Sequence, residues 1–184
     1  MSTATQTPSA ARRQAPLRDR YLDDPGAAIS TKRVVSVPTD DTDSWHGRIT
    51  APRFPGITWD YGIDSKVGGD DDLPNPGHLL CAALAACLES TTRIVAEHYG
   101  IVLDDLTVEV TGDVDVRGAL LVDRDVRTGF RQIDARIRVR PATGTDERLV
   151  RQMLAQAEAL CITLDTIRHG TQVDVATEVD DADN

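Results

Sequence analysis

The three cysteines have the widest chemical range of any residues in this sequence. Cys81 and Cys87 lie six apart in the apolar stretch HLLCAALAACLESTTRIVAEHY, and Cys161 follows much later in AEALCITLDT. An odd number of irregularly spaced cysteines does not suit the disulfide framework of a secreted domain. In a reducing compartment each is therefore a core residue, a metal ligand or a reactive thiol. His78 and Cys81 are three apart on one helical face, but no second Cys-x-x-Cys or His-x-x-x-His pair completes a tetrahedral set, so neither metal nor cofactor is expected. A reactive thiol must be a thiolate, because the anion is the nucleophile, and a thiol carried to the sulfenic acid over-oxidises unless a second thiol condenses with it. Cys81 sits about 240° around a helix from Cys87 and reads as packing. Cys87 and Cys161 both fall at core-facing helical positions, from which two Cα atoms can come within the roughly 7 Å of a disulfide. Inert burial is the competing reading, since free cysteine is among the most buried residue types.

The elements that position these thiols are legible in outline. A helix opens at Asn75, which can cap it, with Pro76 at the first helical position, and it closes at Gly100. Its first half, Leu79 to Leu88, is apolar on every side and implies burial all round, by sheet or by a second subunit. Its second half turns Glu89, Arg93 and Glu97 outward. A second amphipathic helix begins near Thr145 and repeats Leu149, Val150, Met153, Leu154, Ala157, Leu160 and Cys161 at three- and four-residue steps, which places Cys161 on its buried face. Short strands are predicted at Val34 to Val37, Trp45 to Thr50 and Ile57 to Tyr61, each bounded by turn residues. Alternation at Leu106, Val108 and Val110, and again at Ile133, Ala135, Ile137 and Val139, predicts a long antiparallel pair with one wet face. A last strand is predicted over 171–179. Residues 64–77 carry three consecutive aspartates but lack the ligand alternation of a calcium site, and they read as a solvated loop.

Bulk properties narrow the function. The chain has 184 residues, 40% of them hydrophobic, which suits one α+β domain. The expected organisation is a partly disordered N-terminal extension over 1–29, without structure to about residue 16, a main domain over 30–179 and a frayed acidic end over 180–184. The net charge of −10 repels phosphate backbones and anionic headgroups, so nucleic-acid and membrane-surface roles are disfavoured. No continuous apolar run approaches the roughly 20 residues of a membrane span, and the first thirty residues lack a signal core, from which a cytoplasmic location is expected.

The wording of the two cysteine segments resembles the OsmC/Ohr family. PNPGHLLCAALAACL is similar to its proline-led helix motif P-x-x-L-L-x-A-A-L-x-x-C, and AEALCITLDTIRHGTQV is similar to A-E-x-x-C-P-V-x-x-x-L. GDVDVRGALLVDRDVRTGF and RYLDDPGAAIS resemble one branch of OsmC-like proteins. The resemblance spans about residues 30 to 179. It implies an OsmC-like fold, antiparallel sheets wrapped around two long central helices in an intertwined homodimer, with paired sites at the interface. It further implies a thiol-dependent peroxidase that reduces organic hydroperoxides, with Cys87 attacking, Cys161 resolving the sulfenic acid as a disulfide, and an external dithiol regenerating the pair. An arginine from the N-terminal strands would activate the thiolate, and Arg48 in WHGRIT is the nearest match. Many family peroxidases carry a glutamate after the helix-opening proline, where this chain has Gly77 and His78, so its chemistry is open to departure. Two alternatives stand beside the enzyme: a non-catalytic protein holding a hydrophobic small molecule at the dimer cleft, and a thiol redox sensor.

Overall fold

The structure, a computed structural model, describes residues 9–37 and 42–179. The acidic end at 180–184 and the first eight residues lie outside that range. Helix α1 spans Ala10–Asp23, strands β1 to β3 span Val35–Val37, Gly47–Thr50 and Thr58–Tyr61, and helix α2 spans Pro76–His98. Strands β4 and β5 span Leu103–Val114 and Phe130–Pro141, and helices α3 and α4 span Glu147–Ala159 and Ile162–His169. Strands β1, β2 and β3 form one antiparallel meander, and β4 and β5 form a separate antiparallel ribbon. The α+β architecture agrees with the sequence reading, as does the order of the short strands, α2, the long strand pair and α3.

Two core clusters hold the helices on the ribbon. At the C-terminal half of α2, Val95, Ala96 and Ile101 pack on Val150, Met153 and Ala157 of α3. At its middle, Leu84 and Leu88 pack on Cys161 and Leu164, with Val108, Val110, Ile133 and Ile137 of the ribbon closing the other side. The predicted alternation is realised in register: Leu106 faces Val139 and Val108 faces Ile137 across the ladder, so one side chain in two reaches the core. Asn75 caps α2 by accepting from the His78 N–H at 3.0 Å, and Gly100 ends it at φ +67°, a left-handed turn that costs glycine little.

Several expectations need correction. The tail read as unstructured to about residue 16 is helical from Ala10. Ser9 caps α1, its first N–H donates to Glu97 at 2.6 Å and Gln14 bonds His98 at 2.8 Å, so docking on α2 orders a segment whose composition alone does not. Helix α2 is also long and apolar enough to cross a membrane by composition, contrary to the reading of its apolar runs, although it is the core helix on which α3, α4 and the ribbon pack. Its first half is not buried all round in one chain: Leu80, Ala82, Ala83 and Ala86 face outward. Residues 171–179 form no strand: they join neither sheet of this chain, and Val173, Val175 and Val179 are exposed. The helix predicted to run on through Cys161 stops at Ala159. Cys161 adopts an extended conformation and caps α4 instead, with the Arg168–Glu158 pair bridging the break at 2.7 Å.

Candidate active site

The break at Cys161 builds the site. Because the chain turns there, Cys161 is driven fully inside against Leu84 and Leu88, and the first turn of α4 is laid on α2 beside Cys87. Both cysteines are free thiols within hydrogen-bonding reach of one another. The third, Cys81, points elsewhere: its sulfur lies over Gly112, which the Phe130 ring also covers, and burial raises its thiol above the ordinary value. The structure thus brings together the two cysteines that the sequence singles out and separates the one read as packing.

The two neighbours are electrostatically unequal. Burial pushes the Cys87 thiol up, but the hydroxyl and N–H of Thr163, the Cys161 thiol and the Thr91 hydroxyl together outweigh it and leave the Cys87 thiol below its ordinary value. Cys161 goes the other way. Burial raises it, adjacent Cys87 raises it further, and the N–H groups of Leu164 and Thr163 offset only part of this. Opposite shifts on adjoining thiols favour the anion on Cys87 and the protonated thiol on Cys161, because both cannot be anions at such range.

Arg48 is not among the groups acting on Cys87. It lies on β2 and binds Asp60 of β3 through Nε and Nη2, at 2.5 and 3.1 Å, on an exposed face. None of the leading influences on Cys87 is a cation; hydroxyls and the N–H groups of a helix N-terminus take that place. Sequence reasoning missed Thr163 and Thr91. Thr91 lies one turn beyond Cys87, a spacing that places both on one face. Thr163 becomes visible only when Cys161 is recognised as a cap, which no glycine or proline signals. At the helix opening, His78 Nδ1 accepts from the Asn75 N–H at 3.4 Å and completes a capping box, so the residue standing near the family's acid position is spent on the helix start. A carboxylate does stand there: Asp64 accepts from Asn75 Nδ2 at 3.2 Å.

Between the start of α2 and the far end of the ribbon lies a groove of about 700 Å³, lined by Cys81 and by neither thiol of the pair. Val67, Val110, Val114, Val116 and Phe130 give it apolar walls, and Lys66, His78 and Asp64 stand among its polar lining. Among the described residues no cluster of His, Cys, Asp or Glu is placed to hold a metal.

The family model for OsmC-like proteins matches residues 69–176, more than half of the chain and all three cysteines. The chain belongs to the OsmC family. Solved structures share this fold at low identity. An OsmC-like protein from Mycoplasma pneumoniae superposes with a TM-score of 0.60 at 16% identity, over 76% of this chain and 89% of that one. An organic hydroperoxide resistance protein OsmC from Legionella pneumophila gives 0.57 at 21%, over 78% and 93%. An organic hydroperoxide resistance protein from Elizabethkingia anophelis gives 0.56 at 16%, over 77% and 91%. No curated protein matches the sequence. The OsmC-like fold expected from the sequence is therefore the fold of this chain.

Proposed function

We propose that this OsmC-family protein is a thiol-dependent peroxidase that reduces organic hydroperoxides with Cys87 as nucleophile and Cys161 as resolving thiol. The observation that carries the reading is the pairing of two free thiols with opposite shifts, Cys87 toward the anion and Cys161 toward the thiol. The Cys87 thiolate attacks the terminal peroxide oxygen, so an S–O bond forms, the O–O bond breaks and the alkoxide takes a proton from water to leave as alcohol. Cys161 then attacks the Cys87 sulfur; the S–S bond forms, the S–O bond breaks, and hydroxide leaves with the Cys161 proton as water. An external dithiol returns both cysteines to thiols by exchange. Solved relatives named for organic hydroperoxide resistance support the substrate class. The open apolar face of α2 supports an assembly in which a second copy covers it, and in that dimer Arg48 of the β1–β3 sheet would reach the partner's thiols.

The test is an intact-mass thiol count before and after one equivalent of cumene hydroperoxide. Wild type is expected to lose two thiols to a disulfide, Cys161→Ala to stop at an oxidised Cys87, and Cys87→Ala to stay reduced. Thiols intact in all three proteins would overturn the enzyme. The groove of about 700 Å³ would then favour the second reading, a binding protein for a hydrophobic small molecule.

A further inference from the structure

The first turn of α4 is shared by both sulfurs. The opening N–H groups of any helix lack partners within it, and the side chain of the capping residue ordinarily accepts from the second or third of them. Here the cap is Cys161, whose sulfur stands near those N–H groups without closing a cap bond, and Thr163 and Leu164 occupy those second and third positions. The turn therefore offers unsatisfied donors to whichever sulfur bears charge. Thr163 presents its hydroxyl and N–H to Cys87 while the same N–H also faces Cys161, with the Leu164 N–H on Cys161 alone. The rest of the surroundings are aliphatic, Leu84 and Leu88 from α2, Val108 and Val110 from β4, Ile133 and Ile137 from β5. The titratable group acting on each cysteine is the other cysteine.

We propose that Thr163 serves the two cysteines in turn: its hydroxyl and N–H hold Cys87 as the attacking thiolate, and the N–H passes to Cys161 once Cys87 has become a sulfenic acid. This deepens the peroxidase reading and rests on it. While Cys87 is an anion, Cys161 is held protonated by a like charge at contact range. Attack on the hydroperoxide converts that anion into neutral S–OH, and the repulsion ends. The Thr163 and Leu164 N–H groups then favour the Cys161 thiolate that must attack the Cys87 sulfur, with the departing hydroxide leaving as water. One helix start thus supplies anion stabilisation for both steps in sequence from within one chain.

The test follows the Cβ carbon resonance of each cysteine by NMR against pH, with iodoacetamide alkylation of Cys87 resolved by peptide mass, on reduced wild type, Thr163→Val, Thr163→Ser and Cys87→Ser. Thr163→Val is expected to raise the Cys87 midpoint and slow its alkylation at pH 7 by roughly tenfold, the thiolate loss that one pKa unit brings. Thr163→Ser, which keeps the hydroxyl, should restore it. Cys87→Ser places a neutral hydroxyl where the sulfenic acid would stand and should lower the Cys161 midpoint. A Cys87 midpoint unmoved in Thr163→Val, or moved as far by Arg48→Ala, overturns the role of Thr163; a Cys161 midpoint unmoved in Cys87→Ser overturns the transfer. Neither readout needs peroxide, so these outcomes are separate from the peroxidase test. Normal profiles in a wild type that forms no disulfide with cumene hydroperoxide would overturn the peroxidase reading and the second step with it, leaving Thr163 as the stabiliser of Cys87.

Discussion

At the scale of single residues, the three cysteines divide by what lies against them. Cys87 meets hydroxyls and N–H groups, Cys161 meets Cys87 and leucines, and Cys81 stands over a glycine that an aromatic ring also covers. The last arrangement is a packing device: a Cβ at Gly112 would stand 2.5 Å from Phe130 Cε1 and 3.3 Å from Cys81 Sγ. Gly112→Ala is therefore expected to destabilise the fold by about 1–3 kcal/mol, the usual cost of overpacking. Adding Phe130→Leu should recover part of that loss in urea denaturation midpoints. An unchanged midpoint for the single variant would show that the ring shifts freely and that Cys81 is not held in place. Cys87 and Cys161 were legible in the sequence because their apolar periodicity puts both inside. Thr163 and Thr91 were not legible, because a hydroxyl in a helix reads the same whether it faces solvent, its own backbone or a thiol. Thr92 shows the ambiguity: fully buried, it donates to the Leu88 carbonyl at 2.7 Å and faces no sulfur.

At the scale of elements, the strands and helices were legible wherever a chemical signal marks their ends. Asn75, Pro76 and Gly100 bound α2, and alternation fixes the β4–β5 face. The α3–α4 break carries no such signal, because AEALCITLD keeps its amphipathic period straight through the turn. The meander is held to the segment before α2 by a device that no periodicity shows. His46 Nδ1 lies 2.8 Å from Asp43 Oδ2, and Nε2 lies 3.0 Å from Asp72 Oδ2. A carboxylate only accepts, so two such bonds need both ring nitrogens protonated. Asp43 first and Asp72 second hold the His46 pKa above its ordinary 6.5. A raised folded pKa contributes stability that is complete below the unfolded value and fades as pH rises through the folded one. The loop contact is thus expected to weaken on the alkaline side of 6.5. An NMR titration of the His46 ring should give a midpoint above 6.5 that falls in Asp72→Asn. A midpoint at or below 6.5 in wild type would remove the imidazolium bridge.

At the scale of the whole molecule, one chain leaves much apolar surface without cover. Only 28% of the most apolar window of α2 is buried. The β1–β3 meander makes only marginal contact with the helices of its own chain, and Val173, Val175 and Val179 stand in solvent. Exposed apolar area on this scale marks an interaction surface. In the proposed dimer, the pattern of a helix apolar on all sides and of a final alternating segment would describe the assembly, since neither is buried or paired in the isolated chain. Light scattering in solution is expected to give twice the 20.0 kDa of one chain. Ala83→Glu places a charge on the open face of α2, turned away from the buried Leu84 and Leu88, so it should halve that mass while circular dichroism keeps the helix content. Loss of helix with the mass would mean that α2 folds only in the assembly. A wild type of single-chain mass at micromolar concentration would mean that a different partner covers this face, and Arg48 would then have no route to a thiol in another copy.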